Sequence, residues 1–116
     1  VLRPAVFLDR DGTILDEVGY LNHASRYRML SGAPAAIARL NAAGYPVIVV
    51  SNQSGVARGY FPESVVTEVN ELMEQDLKNA GASLTAIYFC PHASADACDC
   101  RKPKLGMVRR AAEEHS

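Results

Sequence analysis

The stretch Val6-Phe7-Leu8-Asp9-Arg10-Asp11-Gly12-Thr13-Ile14 decides how this chain reads, because a short apolar run delivers two carboxylates, one residue apart, into a glycine turn. In extended or turning backbone, residues two apart point the same way, so Asp9 and Asp11 can face one substrate while Arg10 points elsewhere. One carboxylate could attack and the other handle the proton, the division of labour of a phosphoryl-transfer site. The alternative is a solvated turn with an Asx cap, which the same residue types commonly make.

Working outward, Ala5 to Leu8 is bounded by Pro4 and the Asp-Gly turn, as expected of a strand covered on both faces. Residues 14–30 are mixed and irregular and read as a turn or small flap. Gly32-Ala33-Pro34 opens a helix with Ile37 and Leu40 on one face and Gly44 as its stop. Pro46-Val47-Ile48-Val49-Val50 is the most β-branched run and reads as a second strand, ending in Ser51-Asn52-Gln53-Ser54-Gly55. Phe61-Pro62-Glu63-Ser64 opens a second helix, in which Val65, Val69, Leu72, Met73 and Leu77 recur at helical spacing up to Gly81. Leu84 to Phe89 is a third strand, and Leu105 onward a third helix. Strands alternating with helices predict an α/β fold with a parallel sheet.

The chain has 116 residues, 48% of them hydrophobic, which suits one domain over 1–116 with a modest core. A formal charge of −1 with no block of like charges argues against a broad electrostatic footprint for nucleic acid or anionic membrane. No apolar run approaches the roughly 18 residues of a membrane span, and the first residues lack the order of a signal peptide. The expectation is a cytoplasmic monomer.

Ligands bind such sheets at the carboxyl ends of the strands, and each of these strands ends in chemistry. Ser51 and Asn52 could merely cap the next turn. Beside a nucleophilic Asp, their hydroxyl, amide and backbone N–H groups suit phosphate oxygens. Arg101 and Lys102 could be a solvated basic pair; next to Asp9 they would offset the repulsion between a carboxylate and an anionic phosphoryl group. Pro103 biases Lys102 toward extended geometry. Three cysteines cannot all pair in one chain, and Cys98 and Cys100 are too close for a comfortable mutual disulfide. Cys90, His92, Cys98 and Cys100 instead supply three thiols and an imidazole, the ligand set of a closed tetrahedral zinc site. The segment between His92 and Cys100 is too polar and small to bury inert thiols. With no open position the zinc would be structural, its loop 90–100 pinning Arg101 and Lys102. His23 and His115 have no partners nearby in sequence and take no role.

Asp9-Arg10-Asp11-Gly12-Thr13, Ser51-Asn52-Gln53-Ser54-Gly55 and the Cys-His-Cys-Cys cluster running into Arg101-Lys102-Pro103 together resemble the haloacid dehalogenase (HAD) superfamily. Within it they look like the family of D-glycero-D-manno-heptose 1,7-bisphosphate 7-phosphatases and their histidinol-phosphatase relatives. The first motif specifies only the superfamily, whereas the zinc cluster followed by Arg101-Lys102-Pro103 is particular to this branch. The resemblance implies a Rossmannoid three-layer αβα fold with a flap as its only cap. It implies Asp9 as the nucleophile that forms an aspartyl-phosphate, and Asp11 as the acid for the leaving hydroxyl and then the base for water. Ser51 and Lys102 would hold the transferring phosphoryl group. Arg101, Asn52, Gln53, Ser54 and the flap residues Glu17, Val18, Gly19 and Tyr20 would contact substrate. Magnesium would sit on the Asp9 carboxylate and the Asp11 backbone carbonyl.

Family members continue into a fourth strand whose acidic pair completes the magnesium site, and Glu113 and Glu114 fall within the third helix, before it. The resemblance therefore implies a C-terminally truncated chain, with further strands expected beyond the first strand's free edge and with weak magnesium binding as the chain stands. The implied substrate is a small sugar phosphate of surface-glycan (lipopolysaccharide) heptose synthesis, with histidinol phosphate as the alternative. The alternative of another class is a non-catalytic zinc module for nucleic acid. It calls for a basic, aromatic-rich face, and the chain has only five Tyr and three Phe.

Overall fold

The computed structural model describes residues 4–93, 96 and 98–115. Positions 94, 95 and 97 of the expected zinc loop lie outside the described residues. The elements are β1 (Val6–Leu8), α1 (Ala33–Ala42), β2 (Val47–Asn52), α2 (Glu63–Asn79), β3 (Ala86–Cys90) and α3 (Gly106–His115), with a short 3-10 turn at Ala24–Arg26. The strands form one parallel sheet in the order β1-β2-β3. Val6 to Leu8 pair with Val47 to Val49, and Ile48 to Asn52 with Ala86 to Cys90.

The β-branched run at β2 explains the layering. A central strand buried on both faces can be apolar throughout, and its period of two then sends alternate residues to opposite layers. Val47 and Val49 pack with Ile37 of α1 and with Val69, Met73 and Leu77 of α2. Ile48 and Val50 pack with Tyr88, Cys90 and with Met107 and Ala111 of α3. The result is the expected three-layer αβα arrangement. The Tyr88 hydroxyl fastens α3 further by donating to Glu114. Burial and that carboxylate push the Tyr88 phenol up to about 12, and the same hydrogen bond, aided by Arg110, lowers the Glu114 carboxyl.

The structure departs from the sequence reading in two places. β1 is not covered on both faces: α3 lies over β2 and β3, and Phe7 is left 38% exposed. It pairs only with β2 among the described residues, so its other side is a free edge. On α2, Leu72 is 40% exposed, and the buried stripe is Val66, Val69, Asn70, Met73 and Leu77. The flap expected at 14–30 is anchored in the core. Ile14, Leu15 and Leu21 are core residues, and Leu15 bridges to both Asp11 and Met29.

Candidate active site

The three parallel strands end side by side, so Asp9, Ser51-Asn52 and Cys90 emerge at one rim of the sheet. Backbone hydrogen bonds from Gln53 to Cys90 (2.7 Å) and from Ala57 to Pro91 (3.1 Å) tie the loop after β2 to the loop after β3. Between them lies a cleft of about 200 Å³ lined by Asp9, Asp11, Glu17, Gly19, Tyr20, Leu21, Asn52, Gln53, Ser54 and Lys102. A larger hollow of about 790 Å³ lies beside α3 and holds none of the paired carboxylates.

Asp9 is half exposed, and its Oδ1 accepts from the Arg10 backbone N–H at 2.8 Å. Lys102 Nζ stands 3.2 Å from the same Oδ1 and donates to the Val50 carbonyl at 3.0 Å. The ammonium is therefore fixed between the strand end and the carboxylate. Asn52 fixes its backbone, accepting from Lys102 N at 2.8 Å and donating to Lys102 O at 3.2 Å. The Lys102–Pro103 bond is cis.

Asp11 is the better-held carboxylate. Arg10 Nε reaches its Oδ1 at 3.2 Å and Arg10 Nη2 its Oδ2 at 3.1 Å, while Gln53 Nε2 donates to Oδ2 at 3.0 Å. Arg10 itself does not line the cleft; its guanidinium curls back, buried, to form a two-point fork on its neighbour Asp11. Gln53 also donates to Ser51 Oγ at 2.6 Å. Its amide serves the carboxylate and the hydroxyl, and Ser51 is itself buried just beneath the cleft.

On the flap side, Glu17 Oε1 accepts from the Gly19 N–H at 2.9 Å, and Gly19 and Gly12 have the positive φ that favours glycine. Arg26 holds this loop in shape by donating to the Val18 and Tyr20 carbonyls and to Asn22 Oδ1. Val18 packs toward the core and does not line the cleft. Tyr20 stacks edge-on against Tyr60, ring centroids 4.8 Å apart, above Gly55. Tyr27 anchors the far end of the flap to α2, its hydroxyl donating to Asp76 Oδ2 at 2.6 Å. Arg101 lies outside the cleft and donates to the His92 carbonyl at 3.3 Å. Sequence reasoning missed Arg10, Asn70, Arg26 and Tyr27 as parts of this framework; a charged residue at the end of a buried strand was the one available signal.

Beside the cleft, one ligand atom from each of Cys90, His92, Cys98 and Cys100 falls within 4.8 Å of the others. The Cys98 sulfur is 3.5 Å from those of Cys90 and Cys100, and His92 Nδ1 is 3.5 Å from Cys90 and 3.2 Å from Cys100. A tetrahedral zinc with ordinary bond lengths would space sulfurs ~3.8 Å apart and sulfur from nitrogen ~3.5 Å. The Cys90 and Cys100 sulfurs sit closer together than that.

A parallel αβα sheet whose first strand presents Asp9 and Asp11 at its carboxyl end, opposite a lysine from the loop after β3, is the arrangement of a HAD-type hydrolase. Residues 5–116 match the family described as polynucleotide kinase 3 phosphatase. The chain belongs to that family. It is 40% identical to the D-glycero-beta-D-manno-heptose-1,7-bisphosphate 7-phosphatase of Pasteurella multocida, over 97% of this chain and 65% of that protein. It is 39% identical to a probable D-glycero-D-manno-heptose-1,7-bisphosphate 7-phosphatase of Thermoplasma volcanium, over 95% of this chain and 75% of that one. Among solved structures it resembles a D,D-heptose 1,7-bisphosphate phosphatase from B. bronchiseptica complexed with magnesium and phosphate. The TM-score is 0.89 and the identity 35%, covering 97% of this chain and 64% of that chain. The chain thus spans about 65% of the first of these relatives. No helix of the described residues is long and apolar enough to cross a membrane.

Proposed function

We propose that the protein is a phosphatase that removes the 7-phosphate of D-glycero-D-manno-heptose 1,7-bisphosphate through an aspartyl-phosphate. The single observation that carries this reading is the placement of Asp9 and Asp11 at one cleft, with Lys102 Nζ 3.2 Å from Asp9. An anionic nucleophile must approach an anionic phosphoryl group, and a fixed ammonium beside it lowers that barrier.

Asp9 attacks phosphorus, and the bond from phosphorus to the sugar oxygen breaks as Asp11 gives that oxygen a proton. Asp11, now a carboxylate, takes a proton from water, which attacks phosphorus, releases inorganic phosphate and returns Asp9. Lys102 and the Ser51 hydroxyl steady the phosphoryl oxygens. Glu17, Gly19, Tyr20, Asn52 and Ser54 line the cleft on the leaving-group side, and Arg101 and Val18 act on substrate only through the loops they shape. Gln53 reaches the phosphoryl site through Asp11 and Ser51.

The donor set at Asp9 suits magnesium, which keeps most of its waters and takes one or two carboxylates with phosphate oxygens. The half-exposed Asp9 carboxylate and the Asp11 backbone carbonyl would hold it. When bound it neutralises phosphate charge and orients the attack. Cys90, His92, Cys98 and Cys100 suit a structural zinc, since three thiols and an imidazole converge at spacings that approach those of a tetrahedral site. The loop they close carries Arg101 and Lys102, and the whole operates as one domain.

The test is phosphate release by the native polypeptide that carries this sequence, given heptose 1,7-bisphosphate, histidinol phosphate and a 3′-phosphorylated oligonucleotide with magnesium. Preference for the heptose ester, abolished in Asp9→Asn, supports the reading. Preference for either of the others overturns the substrate, and activity in Asp9→Asn overturns the mechanism.

A further inference from the structure

We propose that Asn70, on the buried face of α2 and outside the cleft, is a positioning residue for proton transfer, acting on Asp11 through Arg10. This inference rests on the reading of Asp11 as the acid for the leaving hydroxyl. Arg10 is 1% exposed, a charge removed from water that must be satisfied by fixed partners. Its Nε and Nη2 form the fork on Asp11, and its Nη1 donates to Asn70 Oδ1 at 3.0 Å, across 60 residues of sequence.

A two-point guanidinium contact sets the plane of a carboxylate as well as its position. The plane of the guanidinium is set in turn by the third contact, because a rigid fork held at only one end can pivot about it. Asn70 supplies that contact from a 17-residue helix whose neighbours Val69 and Met73 lie in the core, a support that moves little. A polar side chain 8% exposed within an otherwise apolar stripe also needs a partner, and Arg10 is the partner it has. Gln53 steadies Asp11 Oδ2 from the opposite side. The carboxylate is therefore aimed by two clamps, of which the Arg10 clamp takes its bearing from α2. Removing the Asn70 oxygen leaves both catalytic carboxylates present and the cleft lining unchanged, but lets the Asp11 plane swing.

The experiment uses the native polypeptide and compares kcat/KM for a sugar phosphate with that for dinitrophenyl phosphate, whose leaving group departs without a proton. Asn70→Leu deletes the acceptor at similar volume. It is expected to lower kcat/KM for the sugar phosphate about tenfold, a part of what a positioned acid contributes, and for dinitrophenyl phosphate less than about twofold. Asn70→Asp, which keeps an acceptor oxygen toward Arg10, is expected to abolish that selectivity. Equal loss on both substrates, no loss on either, or a selective deficit in Asn70→Asp overturns the proposal. Should Asn70→Leu fail to fold by circular dichroism, Asn70→Ala carries the same comparison. Asp11→Asn is measured in parallel: if it too loses activity equally on both substrates, the acid assignment fails and not the relay from Asn70.

Discussion

Gly106→Ala is a small perturbation with a large expected effect. Within a helix the change should help, since alanine is the better helix former by about 1 kcal/mol. At this position the added Cβ would lie 2.3 Å from the Asp99 carbonyl oxygen, 2.7 Å from its carbon and 2.9 Å from Cys100 Cα. These are backbone atoms and cannot rotate aside. To restore even the 3.0 Å that Cβ contacts require, the Asp99 carbonyl oxygen must retreat by about 0.7 Å from its 2.3 Å, and the Cys100 Cα joined to that peptide by about 0.1 Å from its 2.9 Å. Ligand distances of a sound metal site lie within ~0.2 Å of ordinary values, so a shift of this size in the peptide that carries Cys100 would spoil its fit at the proposed zinc site. Disturbing the support of a metal ligand commonly costs ~10- to 100-fold in affinity. Expressed as lost stabilisation at fixed zinc, that is about 1.4 to 2.7 kcal/mol, or a fall of roughly 5 to 10 °C in the zinc-dependent part of Tm. The assay is competition for zinc against a chromophoric chelator on reduced protein, paired with melting curves with and without zinc. Gly106→Ala binding zinc as tightly as the unmodified chain, or melting higher in its presence, would refute the reasoning.

Gly55→Ala should disturb the flap in the same way: its Cβ would meet the buried Phe61 ring at 2.2 Å and Tyr20 at 3.0 Å, and overpacking of this kind costs about 1–3 kcal/mol. We expect KM for the sugar phosphate to rise severalfold with a lower Tm, checked by steady-state kinetics and calorimetry; an unchanged KM would show that Tyr20 does not shape the cleft. Burial, then the hydrogen bond and charge of Asp76, raise the Tyr27 phenol above its ordinary value near 10. A folded pKa above the unfolded one gives stability that is complete below pH ~10 and lost as pH rises through the folded value. Tyr27→Phe should therefore lower stability by about 1 kcal/mol at neutral pH and flatten its decline above pH ~10, measured by urea unfolding across that range.

The strands, the helices and the clustering of chemistry at one rim were legible because they follow from local periodicity. The run Val47 to Val50 could hardly be anything but a central strand, and from it the two layers follow. The coverage of β1 was not legible, since whether Phe7 is covered depends on where α3 lands and not on Phe7 itself. Leu72 and Val66 exchanged places for a similar reason: several registers fit the apolar residues of α2, and the sheet selects one that also buries Asn70. The parts of the candidate site were read as residues, but not their connections. Gln53 and Asn52 line the cleft, but spacing could not show that their amides also hold Asp11, Ser51 and Lys102. The Arg10 to Asn70 contact spans 60 residues and leaves no trace in spacing. Asp9 and Asp11, two apart in sequence, also proved unlike in setting: one open to the cleft beside Lys102, the other held by three donors.

That difference in setting is the basis for assigning attack to Asp9, and trapping the covalent species tests it most directly. The native polypeptide would be quenched during turnover of the sugar phosphate and reduced with borohydride, which converts an aspartyl-phosphate to homoserine, and its peptides weighed by mass spectrometry. Homoserine at position 9, absent without substrate and absent in Asp9→Asn, is the predicted result. Phosphate release with Asp9 unmodified, or homoserine at position 11, would contradict it.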